Sequence, residues 1–400
     1  MVVRDALTDG QGRGRHVALF NVPMHGHVMP TLAVVRELVD RGHRVSYAVT
    51  AEFADSVREA GATPVLYEVP PAGEAPEDMA EGVTQAVGVN VMALPQLEQA
   101  FAGDVPDLVL ADVYAWAGPL LAARWKVPAV QLAPTHIPYE GLVEEFFGLE
   151  DISQIPGFTE LSGELAHFGV PGGVHALTLA PPRTVAFFPR SFQRRPETVR
   201  AGAAHWVGPA IADRSFQGSW NRPADDKPVV YVSLGSQFNR RPDFYRACLE
   251  AFDGSGWHVV MSVGAEVAAA GLGEVREGVE VHASVPQLDV LASASVFVTH
   301  GGMGSLMEAF SLGVPVVVVP QMAEQRVNAA RVEELGVGRY LPREQATAQA
   351  LREAVQVVAG DGRIAARVAE LRQQIREAGG AAAAVDVVEK VLADAPVVTG

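Results

Sequence analysis

Short apolar, β-branched runs alternate with stretches of helical period along most of the chain. His16 to Asn21, Arg44 to Val49, Thr63 to Tyr67, Asp107 to Ala111, Pro128 to Leu132 and Val185 to Phe188 have the continuous apolar character of strands buried on both faces of a parallel sheet. Between them the pattern predicts helices over Thr31 to Asp40, entered through Pro30, over Phe53 to Ala60, closed by Gly61, over 83–102, and over Tyr114 to Trp125. This is the alternation of a doubly wound α/β sheet. Residues 208–228 are polar and proline-bearing without helical period, and read as a linker. The rhythm then restarts with Val229 to Leu234, a helix from Asp243 to Phe252, His258 to Val263, Val279 to His282, Val296 to Thr299 and Val314 to Val319. Helices at 326–335, 346–359 and 362–378 and a last one from Asp386 to Ala393 complete it. The predicted architecture is two Rossmann-like domains, 1–207 and 229–384, followed by a C-terminal segment, 385–400.

Two stretches break the alternation. Residues 68–82 are acidic and rich in proline, as in a surface loop. Residues 133–182 set Tyr139, Phe146, Phe147, Phe158 and Phe168 among glycines and prolines without clean periodicity. Long irregular segments of this kind form loops or lids over a ligand, or a helical excursion that only packs on the sheet.

Composition narrows the function classes. The 400 residues are 48% apolar and carry 31 basic against 47 acidic side chains, a formal charge of −16. That balance argues against a nucleic-acid binder or a protein drawn to anionic membrane surfaces. No apolar run reaches the length of a membrane span, and the first fifteen residues lack the apolar core of a signal peptide. The one cysteine, Cys248, excludes an internal disulfide and reads as a small buried hydrophobe. A cytoplasmic protein is expected.

The chemistry collects where strands end. After Val296 to Thr299 comes His300-Gly301-Gly302-Met303-Gly304-Ser305, then a helix from Leu306 to Leu312 closed by Gly313. A glycine-rich turn into a helix N-terminus presents free N–H groups and a positive dipole to an anion. Met307 stands where a dinucleotide fingerprint carries its third glycine, which argues against a dehydrogenase. Glu308, one turn in, is placed to accept from a sugar diol, and Glu324-Gln325 follow the next strand. Ser233-Leu234-Gly235-Ser236 and Val285-Pro286-Gln287 offer further polar groups at strand ends. His25-Gly26-His27 follows the first strand, and Asp112 follows the strand ending at Ala111. A carboxylate beside an imidazole fixes its tautomer and makes it a competent base, so one imidazole of His25-Gly26-His27 with Asp112 is the candidate pair, the other being structural. Asp112 as an N-cap of the next helix fits the sequence nearly as well. A metal reading of His-x-His lacks a third ligand at suitable spacing, and no metal or resident cofactor is expected.

With these motifs together, the chain resembles the family 1 glycosyltransferases of the GT-B fold, and among them is most similar to the bacterial macrolide glycosyltransferases. The resemblance covers nearly the whole chain and is most specific over 282–325. It implies a cleft between the domains, a nucleotide sugar held by the C-terminal one, an apolar hydroxylated acceptor held by the N-terminal one, and a last helix crossing back. It implies His25 as general base and Asp112 as its partner. Ser236, His300, Gly302, Gly304 and Ser305 match diphosphate contacts, Val285 and Gln287 match base and ribose contacts, and Glu308 matches the ribose carboxylate. Glu324 and Gln325 match the pair that reads sugar hydroxyls. Trp116, His136, Phe146 and Phe147 are the expected acceptor contacts. The expected reaction is inverting transfer of a hexose, glucose from UDP-glucose, to a macrolide or polyphenol by a monomer or weak homodimer. The alternatives are a sugar-nucleotide epimerase or hydrolase and a non-catalytic auxiliary partner. Two departures bear on specificity: Ser284 stands where the family carries a tryptophan, and Glu324 where it often carries aspartate.

Overall fold

The computed structural model describes residues 14–70, 76, 78–167, 173–179, 183–212, 218–224 and 226–394. Phe168 and parts of the tail, of loop 68–82, of the linker and of segment 385–400 lie outside the described residues. The first sheet contains β1 His16–Phe20, β2 Arg44–Val49, β3 Thr63–Leu66, β4 Leu108–Asp112, β5 Ala129–Ala133, β6 Thr184–Ala186 and β7 Ala204–Trp206. Its helices are α1 His25–Asp40, α2 Ala54–Glu59, α3 Met79–Phe101, α4 Ala117–Trp125, α5 Leu142–Phe147, α6 Gly157–His167 and α7 Gly173–Thr178. The second sheet contains β8 Val229–Ser233, β9 His258–Ser262, β10 Val279–His282, β11 Ala294–Thr299, β12 Val316–Val318 and β13 Gly338–Tyr340. Around it lie α8 Pro242–Phe252, α9 Ala265–Ala270, α10 Gln287–Ser293, α11 Met303–Leu312, α12 Ala323–Leu335, α13 Ala348–Gly360, α14 Gly362–Glu377 and α15 Gly380–Asp394.

Every strand pair is parallel, in the orders β3-β2-β1-β4-β5-β6-β7 and β10-β9-β8-β11-β12-β13. Strand order reverses between β1 and β4 in one sheet and between β8 and β11 in the other. Ligands of open α/β sheets bind outside the carboxyl ends at such switch points. His25-Gly26-His27 follows β1, Asp112 ends β4, Ser233 to Ser236 follow β8, and His300 follows β11.

β7 and β13 are edge strands that the apolar pattern does not reveal, because three residues with polar members carry no period. Helix α1 begins at His25, six residues before the expected start. Proline favours the first turn of a helix, whereas Pro30 lies inside α1 and forgoes one backbone bond. The segment 133–182 contains α5, α6 and α7; α6 packs on α3 and α5 on α12.

The domains meet along a seam. Val327 of α12 joins Tyr139, Leu142 and Phe146 in one apolar cluster. The Arg194 guanidinium bonds both Glu145 and Glu334, and the Thr135 hydroxyl donates to Glu324 Oε1 at 2.9 Å. The final helix, α15, lies on α1, where Val385, Val388 and Leu392 enter the first domain's core and Arg41 reaches Asp386 and Glu389. Apolar burial carries that docking, since exposed ion pairs contribute little. Among the described residues no helix is long and apolar enough to cross a membrane.

Candidate active site in the interdomain cleft

The two imidazoles of the first turn of α1 go separate ways. Residues two apart on an α-helix project roughly 200° from one another. His27 Nδ1 lies 2.8 Å from Asp112 Oδ2 across the β1–β4 switch point, its side chain 16% exposed and that of Asp112 0%. His25 points outward, 56% exposed, against the Phe53 ring and 3.5 Å from Glu52. The expected His25–Asp112 pair is therefore corrected: Asp112 belongs to His27. The resemblance implied His25, but which ring faces the sheet depends on where α1 begins, and α1 begins at His25 itself.

Asp112 is fixed from its own strand end, where Oδ1 accepts the Tyr114 N–H at 2.9 Å. An ionised carboxylate only accepts, so His27 Nδ1 carries the proton and Nε2 is left as the basic nitrogen. Burial alone would lower the His27 pKa. The Asp112 charge and hydrogen bond, with a contribution from Glu324, outweigh it and hold the pKa above the ordinary value.

The opposite wall comes from the second domain. Gly302 caps α11, and Gly304 is open to solvent with nothing within 4 Å of where a Cβ would stand. His300 packs against Gly235, where an added Cβ would come within 2.7 Å of the ring. Burial pushes its pKa down to about 4, so the ring is neutral and one nitrogen carries a donor hydrogen. Ser305 is half-buried in the first turn of α11, and Ser236 is exposed in the loop after β8. Glu308 is buried and accepts from the Gln287 amide at 2.6 Å, while Gln287 Oε1 accepts from the Tyr231 hydroxyl. Val285 is half-buried and Ser284 exposed at the end of β10. Gln325 is buried, its Oε1 accepting the Gln321 N–H at 2.8 Å. Burial raises the Glu324 pKa although the Thr135 hydrogen bond and His27 oppose it.

A cavity of about 990 Å³ opens between the domains, and of the expected donor residues only Ser236 and Glu324 line it. His27, Tyr114, Ser236 and Glu324 line it, with Val22, Pro23 and Met24 from the first turn and a face of α3 comprising Met79, Gly82, Val83, Ala86 and Val89. The four expected acceptor contacts are elsewhere. Trp116 is buried against Phe158 and Tyr114 in the core. His136 is buried and stacked on Phe192, with its pKa lowered to about 4 by burial. Phe146 and Phe147 belong to the seam cluster. Sequence reasoning missed Tyr114, Thr135 and the α3 face. Among the described residues no group of three or more His, Cys, Asp or Glu is placed to hold a metal ion.

Residues 249–392 match the family model described as the C-terminal domain of erythromycin biosynthesis protein CIII-like proteins. The chain is 38% identical to the NDP-glycosyltransferase YjiC of Bacillus licheniformis, over 96% of this chain and 99% of that one. It is 39% identical to the oleandomycin glycosyltransferase of Streptomyces antibioticus, over 94% of this chain and 91% of that one. Its fold superimposes on the crystal structure of the glycotransferase of kitacinnamycin with a TM-score of 0.87 at 38% identity, covering 95% of this chain and 100% of that one.

Proposed function

Because the chain belongs to the macrolide-type family 1 glycosyltransferases, with the GT-B fold, we propose that it moves a hexose, glucose from UDP-glucose, onto a hydroxyl of an apolar natural product such as a macrolide or polyphenol. The observation that carries the reading is the His27–Asp112 pair, held at 2.8 Å on the wall of the cavity that Ser236 and Glu324 also line. His27 Nε2 takes the acceptor hydroxyl proton as that oxygen attacks the anomeric carbon. Asp112 stabilises the imidazolium that forms. The bond from the anomeric carbon to the diphosphate breaks on the opposite face, so the configuration inverts. The departing oxygens are met by the α11 N-terminus, the neutral His300 N–H and the Ser305 hydroxyl. General-base action supplies roughly 10²–10⁴-fold, and groups fixed around the leaving diphosphate add a comparable or larger factor. Gln287 and Glu308 are the ribose contacts and Val285 lies against the base; Glu324 with Gln325 reads the sugar. No resident cofactor is used. The co-substrates are the nucleotide sugar and the acceptor, and the protein works in the cytoplasm.

The test is a panel of UDP- and TDP-sugars crossed with macrolide and polyphenol acceptors, read by mass spectrometry. A product heavier by one hexosyl unit is expected with UDP-glucose. Loss of donor without acceptor product would indicate a hydrolase, and an unchanged mixture would overturn the transferase reading.

A further inference from the structure

Asn328 takes no part in the transfer described above, yet it lies beneath both halves of the donor site. It sits on α12, 0% exposed. Its amide nitrogen donates to the Gly301 carbonyl at 2.8 Å and lies 3.4 Å from Glu324 Oε1. Gly301 has a φ of +87°, and a Cβ there would stand 2.4 Å from Val318 Cγ1. That conformation turns its carbonyl inward, onto α12. A trans peptide points its C=O and the following N–H in opposite directions. Holding Gly301 O inward therefore aims the Gly302 N–H outward, beside the unpaired N–H groups that open α11. The same side chain meets Glu324 from below while Thr135 holds that carboxylate from the first domain. Asn328 Oδ1 and His136 Nε2 are both buried along the seam, and the Asn328 side chain also interacts with the His136 imidazole.

We propose that Asn328 is a positioning residue for the donor, which aligns the Gly301–Gly302 peptide with the diphosphate and the Glu324 carboxylate with the sugar as one unit. This rests on the reading of the cleft as a nucleotide-sugar site. Full-length wild type, Asn328→Ala and Asn328→Asp are compared with UDP-glucose and UDP-galactose on one polyphenol acceptor that wild type uses. UDP binding is titrated by calorimetry and Tm is measured alongside. Loss of one such hydrogen bond corresponds to about a tenfold rise in donor KM. The ratio of kcat/KM for the two sugars should fall toward one, acceptor KM should stay within about twofold, and UDP should bind more weakly. Thr135→Val should lower the same ratio, and its effect should not add to that of Asn328→Ala, since both residues hold one carboxylate. A fall in Tm with donor KM and sugar ratio unchanged would overturn the proposal, and so would failure of both variants to fold, which would make Asn328 architectural. If wild type transfers no sugar at all, the function reading fails on its own, and the UDP titrations still decide whether Asn328 sets the diphosphate cradle.

Discussion

His27 and Asp112 face each other at 2.8 Å across the switch point of the first sheet, while His25, two residues earlier, turns away to Glu52. The divergence follows from the start of α1 at His25, which puts both rings in one helical turn on nearly opposite sides. The β4 carboxylate can reach only the inner one.

The two histidines are accordingly separable by mutation. His27→Ala should lower kcat by at least about 10²-fold with UDP affinity near wild type. His25→Ala should leave kcat within about threefold, because its ring is exposed and does not line the cavity. Equal losses in the two variants, measured as initial rates at saturating donor, would contradict the assignment.

The pH profile follows from the same pair. The base must be neutral, and its pKa lies above the ordinary His value of 6.5. Activity should therefore fall as pH drops through a point above ~6.5. Asp112→Asn removes the raising charge and leaves desolvation, so the acid limb should move to lower pH while the plateau drops. A kcat–pH series on both proteins checks the direction. The sign for stability is the reverse of the usual carboxylate case. A raised folded-state pKa contributes stability fully present below the unfolded pKa and lost as pH rises through the folded one.

The strands that build the site were readable from sequence because they are buried on both faces and apolar throughout. β1, β4, β8 and β11 all lie where the pattern put them, to within one or two residues. The glycine-rich turn before α11 was equally readable, since its conformation demands glycine at Gly301. What sequence could not supply was facing. Whether His25 or His27 met Asp112 depended on where α1 began, and Pro30 is a start signal in most contexts but not in this one. Phe146 illustrates the second gap. An aromatic residue in an irregular segment fits a ligand pocket and a domain seam alike, and only the position of Val327, nearly two hundred residues away, decides between them.

The place of Ser284 makes a further outcome measurable. It is exposed at the end of β10, immediately before Val285, so a ring there has open space beside it. If the nucleotide base lies over this position, Ser284→Trp should tighten UDP binding by roughly 1 kcal/mol through stacking. It should also sharpen the distinction between uridine and thymidine donors. A calorimetric titration that shows weaker binding would mean that another group already covers the base.

Acceptor choice should follow α3 and not the segment 133–182. Ala86 is half-buried on the cavity wall, one helical turn from Val83 and Val89, on the face opposite the donor loop after β8. Ala86→Phe fills part of a cavity of about 990 Å³ without entering the core behind α3. It should raise KM for the bulkiest acceptors or abolish their reaction, spare flat polyphenols, and leave donor KM unchanged. Phe146→Ala supplies the contrast. Its ring is buried against Tyr139 and Val327 at the seam, so truncation should cost about 3–5 kcal/mol of stability, with the rank order of acceptors intact. The two variants thus separate the pocket from the seam. An acceptor profile that changes in Phe146→Ala, and not in Ala86→Phe, would return acceptor selection to the irregular segment.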